Sequence, residues 1–247
     1  SWVCYSFSET YLKEYKNFLY LENGILNTNE YFYMDDNGYG VSSNIVTYGD
    51  NKKNYSKEFK SEVLQYLKSI EWPIDYGYDK NGHFLIALQS RTDDDIALLT
   101  KCERYLPKGI KVLVRPHPNY VTEERTRIYN EFCQKNANWE IDTVKNLFSS
   151  LKMTRAVITN FSSVLYRSLA MGIPTATCLP GFHSGTSATL ECDRNPAMLQ
   201  YILDSRFDEQ AAQNLICAIH KNSVSKNTSA TDLVRNPNFA NWLKRMK

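Results

Sequence analysis

Residues 82–118, GHFLIALQSRTDDDIALLTKCERYLPKGIKVLVRPHP, decide the fold. The run from Phe84 to Leu88 is apolar without interruption, as in a strand covered on both faces. A helix is expected over about 94–105, closed by the turn Pro107-Lys108-Gly109, and Val112-Leu113-Val114 reads as the next strand. Two strands joined through a helix in so short a span are parallel, with the helix as a right-handed crossover on one face of the sheet.

Reading outward toward the carboxyl end, the rhythm repeats. A helix is expected from Thr122 to about Gln134, a strand at Trp139-Glu140-Ile141, a helix over 143–151 and a strand at Ala156-Val157-Ile158. That strand breaks at Thr159-Asn160-Phe161-Ser162-Ser163, a helix runs from Val164 to Met171 until Gly172 stops it, and 175–179 is another strand. Residues 82–215 therefore read as a Rossmann-like domain. Toward the amino end, 72–82 is a hinge rich in Pro and Gly, 56–70 has helical spacing, and 35–44, DDNGYGVSSN, is a loop. Phe18-Leu19-Tyr20-Leu21 is a strand ending at Glu22-Asn23-Gly24, a helix is expected over 11–16, and 2–5 is a short strand. The expected division is a small α/β half over 1–75, contributing Glu22, and a domain over 76–247. In the latter, a polar loop at 222–231 leads to a final helix.

Composition narrows the function. At 247 residues and 43% apolar content the chain can bury one large core or two modest ones. Its 29 basic and 27 acidic side chains leave a net charge of +2, which gives no bulk attraction for nucleic acid. No stretch approaches the roughly 18 apolar residues of a membrane span, and the opening Ser1-Trp2-Val3-Cys4 lacks a secretory pattern, so a cytoplasmic protein is expected. The six cysteines show no CxxC spacing and read as reduced core thiols. The 17 tyrosines suit a carbohydrate surface and equally suit half-buried packing.

Four segments end strands of this kind: 22–24, 89–95, 115–118 and 159–163. Carboxyl ends of parallel strands share one edge, where open α/β sheets bind ligands. Three adjacent carboxylates, Asp93, Asp94 and Asp95, repel one another, so they lie in open solvent or one of them has a task. Ser162 and Ser163 precede a helix, whose N-terminus either suits phosphate or is simply capped. His117 is held between two prolines beside Arg115, and Arg and His together could hold or protonate a phosphate. Glu22 either ends a strand or serves as a general acid or base. With Asp93 as a second carboxylate it would form the pair that glycosyl transfer uses. His83 and His183 have no metal-ligand spacing, and GxGxxG, Walker-type and GxSxG motifs are missing, so neither a metal nor a dinucleotide is expected.

In order, LENGIL at 21–26, DDNGYGVSSN at 35–44, QSRTD at 89–93, RPHP at 115–118 and TNFSSVLYRSLAMGIP at 159–174 resemble the retaining β-Kdo glycosyltransferases of bacterial capsule synthesis. The resemblance covers residues 2 to about 185. Ser90, Gly40 and Arg115 depart from the family pattern. It implies a GT-B-like α/β fold, a CMP-Kdo donor, no cofactor, and a saccharide or lipid-linked saccharide acceptor. Separately, basic and aromatic residues near the end, such as Trp242, Lys244 and Arg245, could touch a membrane surface or lipid carrier, so peripheral attachment at the inner face of the cytoplasmic membrane is a further expectation from composition. Residue by residue, the resemblance implies Asp93 as the nucleophile, Glu22 as acid/base and His117 as assistant to the leaving phosphate. Arg115, Asn160, Ser162 and Ser163 would hold the nucleotide, supported by Gln89 and Asn23. Asp94 and Asp95 would begin the following helix, where negative charge is favourable. A sialyltransferase-like enzyme using another CMP-sugar, a non-catalytic nucleotide-sugar-binding module, and an epimerase or polyol-phosphate transferase preferring UDP or CDP are the competing expectations.

Overall fold

The structure, a computed structural model, describes residues 2–5, 18–23, 25–26, 30–37, 42–74, 79, 81–89, 91–192, 196–203 and 208–245. The helix expected at 11–16, Gly24, residues 38–41 of the loop and residues 75–78 and 80 of the expected hinge lie outside the described residues. In chain order the elements are β1 (Trp2–Tyr5), β2 (Phe18–Asn23), β3 (Tyr31–Asp35), α1 (Asn44–Thr47) and α2 (Lys57–Ser69). They continue with β4 (His83–Ala87), α3 (Thr92–Tyr105), β5 (Val112–Arg115), α4 (Glu123–Lys135), β6 (Trp139–Ile141), α5 (Leu147–Leu151), β7 (Thr154–Thr159), α6 (Ser163–Ala170) and β8 (Thr175–Thr177). Last come β9 (Leu190–Glu191), α7 (Glu209–Lys221), β10 (Ser223–Ser225), α8 (Ala230–Arg235) and α9 (Pro237–Arg245).

The chain forms two compact units: 61–180 with 187–213, and 1–60 with 181–186 and 214–247. The first of these is the expected Rossmann-like domain. Its six strands are ordered β6-β5-β4-β7-β8-β9 and all pairs are parallel. Alternation sorts their side chains onto two faces, as the pleat requires. Phe84, Ile86, Val112, Val114, Ala156 and Ile158 pack with Leu98, Leu99 and Cys102 of α3 and Tyr129 of α4. Leu85, Leu113 and Val157 pack on the other face with Leu151, Met171 and Ile173. Because both faces are covered, all five residues of β4 are buried, which is why the sequence there shows no polar alternation.

Local chemistry sets the helix ends. Thr122 Oγ1 accepts from Arg125 N at 3.2 Å to start α4, and Ser162 Oγ accepts from Val164 N at 3.2 Å to start α6. Gly172, with φ of 76°, ends α6 in the left-handed conformation that glycine adopts without strain. The helix expected from 143 begins only at Leu147. Val144 N is taken by Asp142 Oδ1 at 3.0 Å, and Asn146 supplies the cap.

The other unit carries a four-stranded sheet ordered β1-β2-β3-β10, with β1 and β2 parallel and the remaining pairs antiparallel. This corrects the sequence-based division at 75/76. The segment beyond 213 does not belong to the Rossmann-like unit, because β10, read from sequence as polar loop, pairs with β3. Val224 joins Leu19 and Met34 in a core that also takes up Leu233, Phe239 and Trp242 of α8 and α9. A buried polar network closes it. Asn238 Nδ2 donates to Met34 O at 2.7 Å and to Asn222 Oδ1 at 3.1 Å, and Arg245 pairs with Asp36 at 2.7 Å. Asp35, 0% exposed, accepts from Tyr33 OH at 2.6 Å and Asn44 N at 2.8 Å. Among the described residues, no helix is long and apolar enough to cross a membrane.

Candidate active site

Ala87 pairs in register with Arg115 on one side and Thr159 on the other, so β5, β4 and β7 end together at one edge of the parallel sheet. The segments leaving that edge, 89–93, 116–118 and 160–163, are three of those singled out by sequence. They are tied to one another. Leu88 N donates to Arg115 O at 2.9 Å, Thr159 Oγ1 to Ala87 O at 2.8 Å, and Asn160 Nδ2 to Asp94 O at 2.8 Å. Beside Asn160 opens a cavity of about 120 Å³, with Asp94, Lys101 and Asn160 among its polar lining and Leu98, Cys178 and Leu179 among its apolar lining.

The three aspartates share the first turn of α3 and differ sharply in surroundings. Asp93 is exposed, Asp94 is half-buried, and Asp95 is 0% exposed. Asp95 Oδ1 accepts from Gln89 N at 2.7 Å, while its Oδ2 accepts from Tyr129 OH at 2.7 Å and Arg125 Nη2 at 2.5 Å. Arg125 closes the cluster by donating from Nη2 to Gln89 O at 2.6 Å and from Nε to Tyr129 OH at 2.8 Å. Burial, reinforced by the Asp95 carboxylate, pushes the Tyr129 phenol up to about 12. Burial also works against the Arg125 charge, but the bonds to Tyr129 and Asp95 prevail and raise its pKa. Of the three carboxylates, Asp95 is thus the one with a structural task. Asp93 remains open to a ligand. The sequence reading missed Asp95, Arg125 and Tyr129. One signal was present, since Asp95 stands three, four and seven residues before the buried Leu98, Leu99 and Cys102, the spacing of an inward helix face.

His117 emerges between Pro116 and Pro118 at the end of β5. Its Nδ1 accepts from Asn119 N at 3.3 Å, which places the proton of the neutral ring on Nε2. Its ring packs against Tyr120 at a centroid distance of 4.8 Å. Burial first, and then the neighbouring Arg125 charge, lower its pKa, with Asp95 opposing. Near neutral pH it is an uncharged donor. Arg115 has an occupation that sequence did not foresee. Its Nη1 contacts Asp142 Oδ2 at 2.5 Å, Val144 O at 2.8 Å and Ser150 Oγ at 3.1 Å, and its Nη2 contacts Lys145 O at 3.2 Å. The guanidinium thus fastens the β6–α5 connection. Ser162 is the α6 cap and Ser163 the first, exposed residue of that helix. Glu22 and Asn23 end β2 opposite Tyr33 and Phe32 of β3, in the other unit. Their side chains lie outside those described. Among the described residues, no three His, Cys, Asp or Glu side chains gather as a metal ion requires.

No protein-family model and no curated protein matches the sequence. Solved structures do. The chain is similar to Thermosulfurimonas dismutans KpsC, beta Kdo 2,7 transferase, with a TM-score of 0.61 at 12% identity, covering 88% of this chain and 74% of that one. It is also similar to Thermosulfurimonas dismutans KpsC, beta Kdo 2,4 transferase, with a TM-score of 0.55 at 13% identity, covering 87% and 78%. At these identities the likeness is one of fold. The α/β, GT-B-like class expected from the sequence is the class observed.

Proposed function

We propose that this chain is a glycosyltransferase that moves Kdo or a related nonulosonate from a CMP-sugar to a saccharide acceptor, with net retention through an Asp93 adduct. The observation that carries the reading is the shared edge of β5, β4 and β7, where an exposed carboxylate, a neutral imidazole and a helix N-terminus leave adjacent strands. Fold likeness to two Kdo transferases and the five ordered motifs support it.

In the first step the Asp93 carboxylate attacks the anomeric carbon. A carbon–oxygen bond forms to Asp93 as the bond to the CMP phosphate breaks, and CMP leaves with the electron pair. His117 Nε2–H donates a hydrogen bond to that phosphate without having to ionise, which fits a lowered pKa better than a cationic acid would. The Ser162 and Ser163 hydroxyls and the partial positive charge of the α6 N-terminus hold the same anion, Val164 N and Leu165 N being already taken by Ser162. Asn160 acts through Asp94 O, holding α3 in place. Gln89 acts through its backbone, which Asp95 and Arg125 clamp. In the second step the acceptor hydroxyl gives its proton to Glu22 and displaces Asp93, and the two inversions give retention. Asn23 supports Glu22. Arg115 contributes by shaping the β5 and β6 ends, and the acceptor is a saccharide or a lipid-linked one met at the membrane face.

The test is incubation with CMP-Kdo followed by intact-mass analysis. Wild type should gain one sugar residue and Asp93→Ala none. Transfer to acceptor by Asp93→Ala at the wild-type rate would sink the reading. CMP binding without turnover would instead indicate a non-catalytic module. Preference for CMP-sialic acid would indicate the sialyltransferase-like alternative, and preference for UDP or CDP an epimerase or polyol-phosphate transferase.

A further inference from the structure

The Asp95–Arg125–Tyr129 cluster is more than a fastening between α3 and α4. A buried ion pair yields little net stability over apolar side chains of similar size, because both charges must be stripped of water. Leucine and methionine would hold two helices together as well. They would lack directional bonds. Arg125 Nη2 reaches both the Gln89 carbonyl, at 2.6 Å, and the Asp95 carboxylate, at 2.5 Å, while Asp95 takes the Gln89 N–H. Both backbone polar groups of Gln89, two residues past β4, are therefore fixed by one ion pair. Arg125 lies eight positions beyond His117, joined through the Pro118–Tyr120 helical turn and the Thr122 cap.

We propose that Arg125 is a positioning residue for this edge, locking the β4–α3 turn that carries Asp93 to the β5–α4 segment that carries His117 while touching no substrate itself. The charges that act on His117 are Arg125 of α4 and Asp95 of α3, and the Tyr120 ring packs against the imidazole. Burial is the larger influence on His117, and the Arg125 charge lowers its pKa further while Asp95 opposes it. The kinetic part of this proposal rests on the transferase reading, and the His117 part does not.

The experiment uses Arg125→Met and Arg125→Lys in the full chain. Histidine NMR titration follows His117, assigned with His117→Gln, and CMP-Kdo turnover is measured alongside. In Arg125→Met the His117 midpoint should rise, because a nearby positive charge has gone, and kcat should fall by about a hundred-fold at little changed donor KM. Arg125→Lys should leave the His117 midpoint near wild type yet still lose kcat, since one ammonium cannot reproduce the fork. An unmoved midpoint in folded Arg125→Met overturns the proposal. If Arg125→Met does not fold, Arg125→Lys carries the test, and unchanged kcat there overturns it. If wild type neither binds CMP nor turns over CMP-Kdo, the transferase reading fails, and the His117 midpoint alone decides the role of Arg125.

Discussion

Replacing Asp95 with leucine should be among the most damaging single changes in the parallel-sheet unit. The substitution leaves three donors without their acceptor: Arg125 Nη2, Tyr129 OH and the Gln89 N–H. The Arg125 side chain is 8% exposed, so water cannot readily replace the lost carboxylate. Breaking a buried pair from one side costs about 3–5 kcal/mol. For a chain of this size each kcal/mol moves the melting temperature by roughly 2–4 °C, so Asp95→Leu should lower it by about 6–20 °C. The loss should persist at high salt, because a buried pair is poorly screened. The triple replacement Asp95→Leu, Arg125→Met, Tyr129→Phe should regain part of it, short of the Gln89 N–H and C=O, which both lose their partners at about 1–3 kcal/mol for each group left unpaired. Exposed Asp93 offers the control, since Asp93→Asn forfeits only a helix-dipole contribution of about 0.3–1 kcal/mol. Scanning calorimetry at neutral pH measures all three. If Asp95→Leu melts within about 3 °C of wild type, less than about 1.5 kcal/mol is at stake and the cluster does not hold the edge as described.

Arg115→Met should likewise destabilise the unit, because buried Asp142 loses its guanidinium partner, and thermal unfolding checks this. An unchanged melting temperature with lost CMP affinity would return Arg115 to nucleotide binding. His83 and His117 both have lowered pKa values, chiefly through burial. Their unfolded forms, near 6.5, take up protons first, so the stability they contribute is present above about pH 6.5 and is lost as pH falls through the folded midpoints. The melting temperature of His83→Gln should therefore fall less steeply than wild type between pH 7 and 5, and parallel curves would refute the assignment. Ser162→Ala should cost about 1 kcal/mol through the α6 cap, read from denaturant unfolding.

The parallel unit was legible in sequence where local pattern determines structure. Phe84–Leu88 is apolar because β4 is covered on both faces, and Gly172 and Ser162 mark the ends of α6 by their own chemistry. The four-stranded unit was less legible, since its membership is decided by pairing across nearly the whole chain. Ser223-Val224-Ser225 contributes one buried apolar side chain, so only register against β3 makes it a strand. Asn238 acts through Met34 and Asn222, partners that local spacing cannot reveal. At the candidate site, His117 stood out because prolines flank it. Arg125 did not, because one arginine in a helix with Glu123, Glu124 and Arg127 reads as part of a solvated face.

Helix geometry explains why three identical neighbours divide their work. Successive residues are turned by about 100° around the axis, so Asp93, Asp94 and Asp95 span about 200° and cannot all face one environment. The buried face of α3 is set by Leu98, Leu99 and Cys102. Asp95 falls on that face and must be compensated, which the Arg125 charge and a Tyr129 hydrogen bond accomplish from α4. Asp93 then necessarily points away from the core. The same rotation that buries one carboxylate presents another at the end of β4, beside the β5 and β7 segments. A structural anchor and an exposed acid two residues apart follow from a single helical phase. Moving that phase by inserting one residue between Asp93 and Asp95 should therefore cost both stability and transfer. Substitution of Asp93 alone should cost transfer with only the helix-dipole loss of about 0.3–1 kcal/mol in stability.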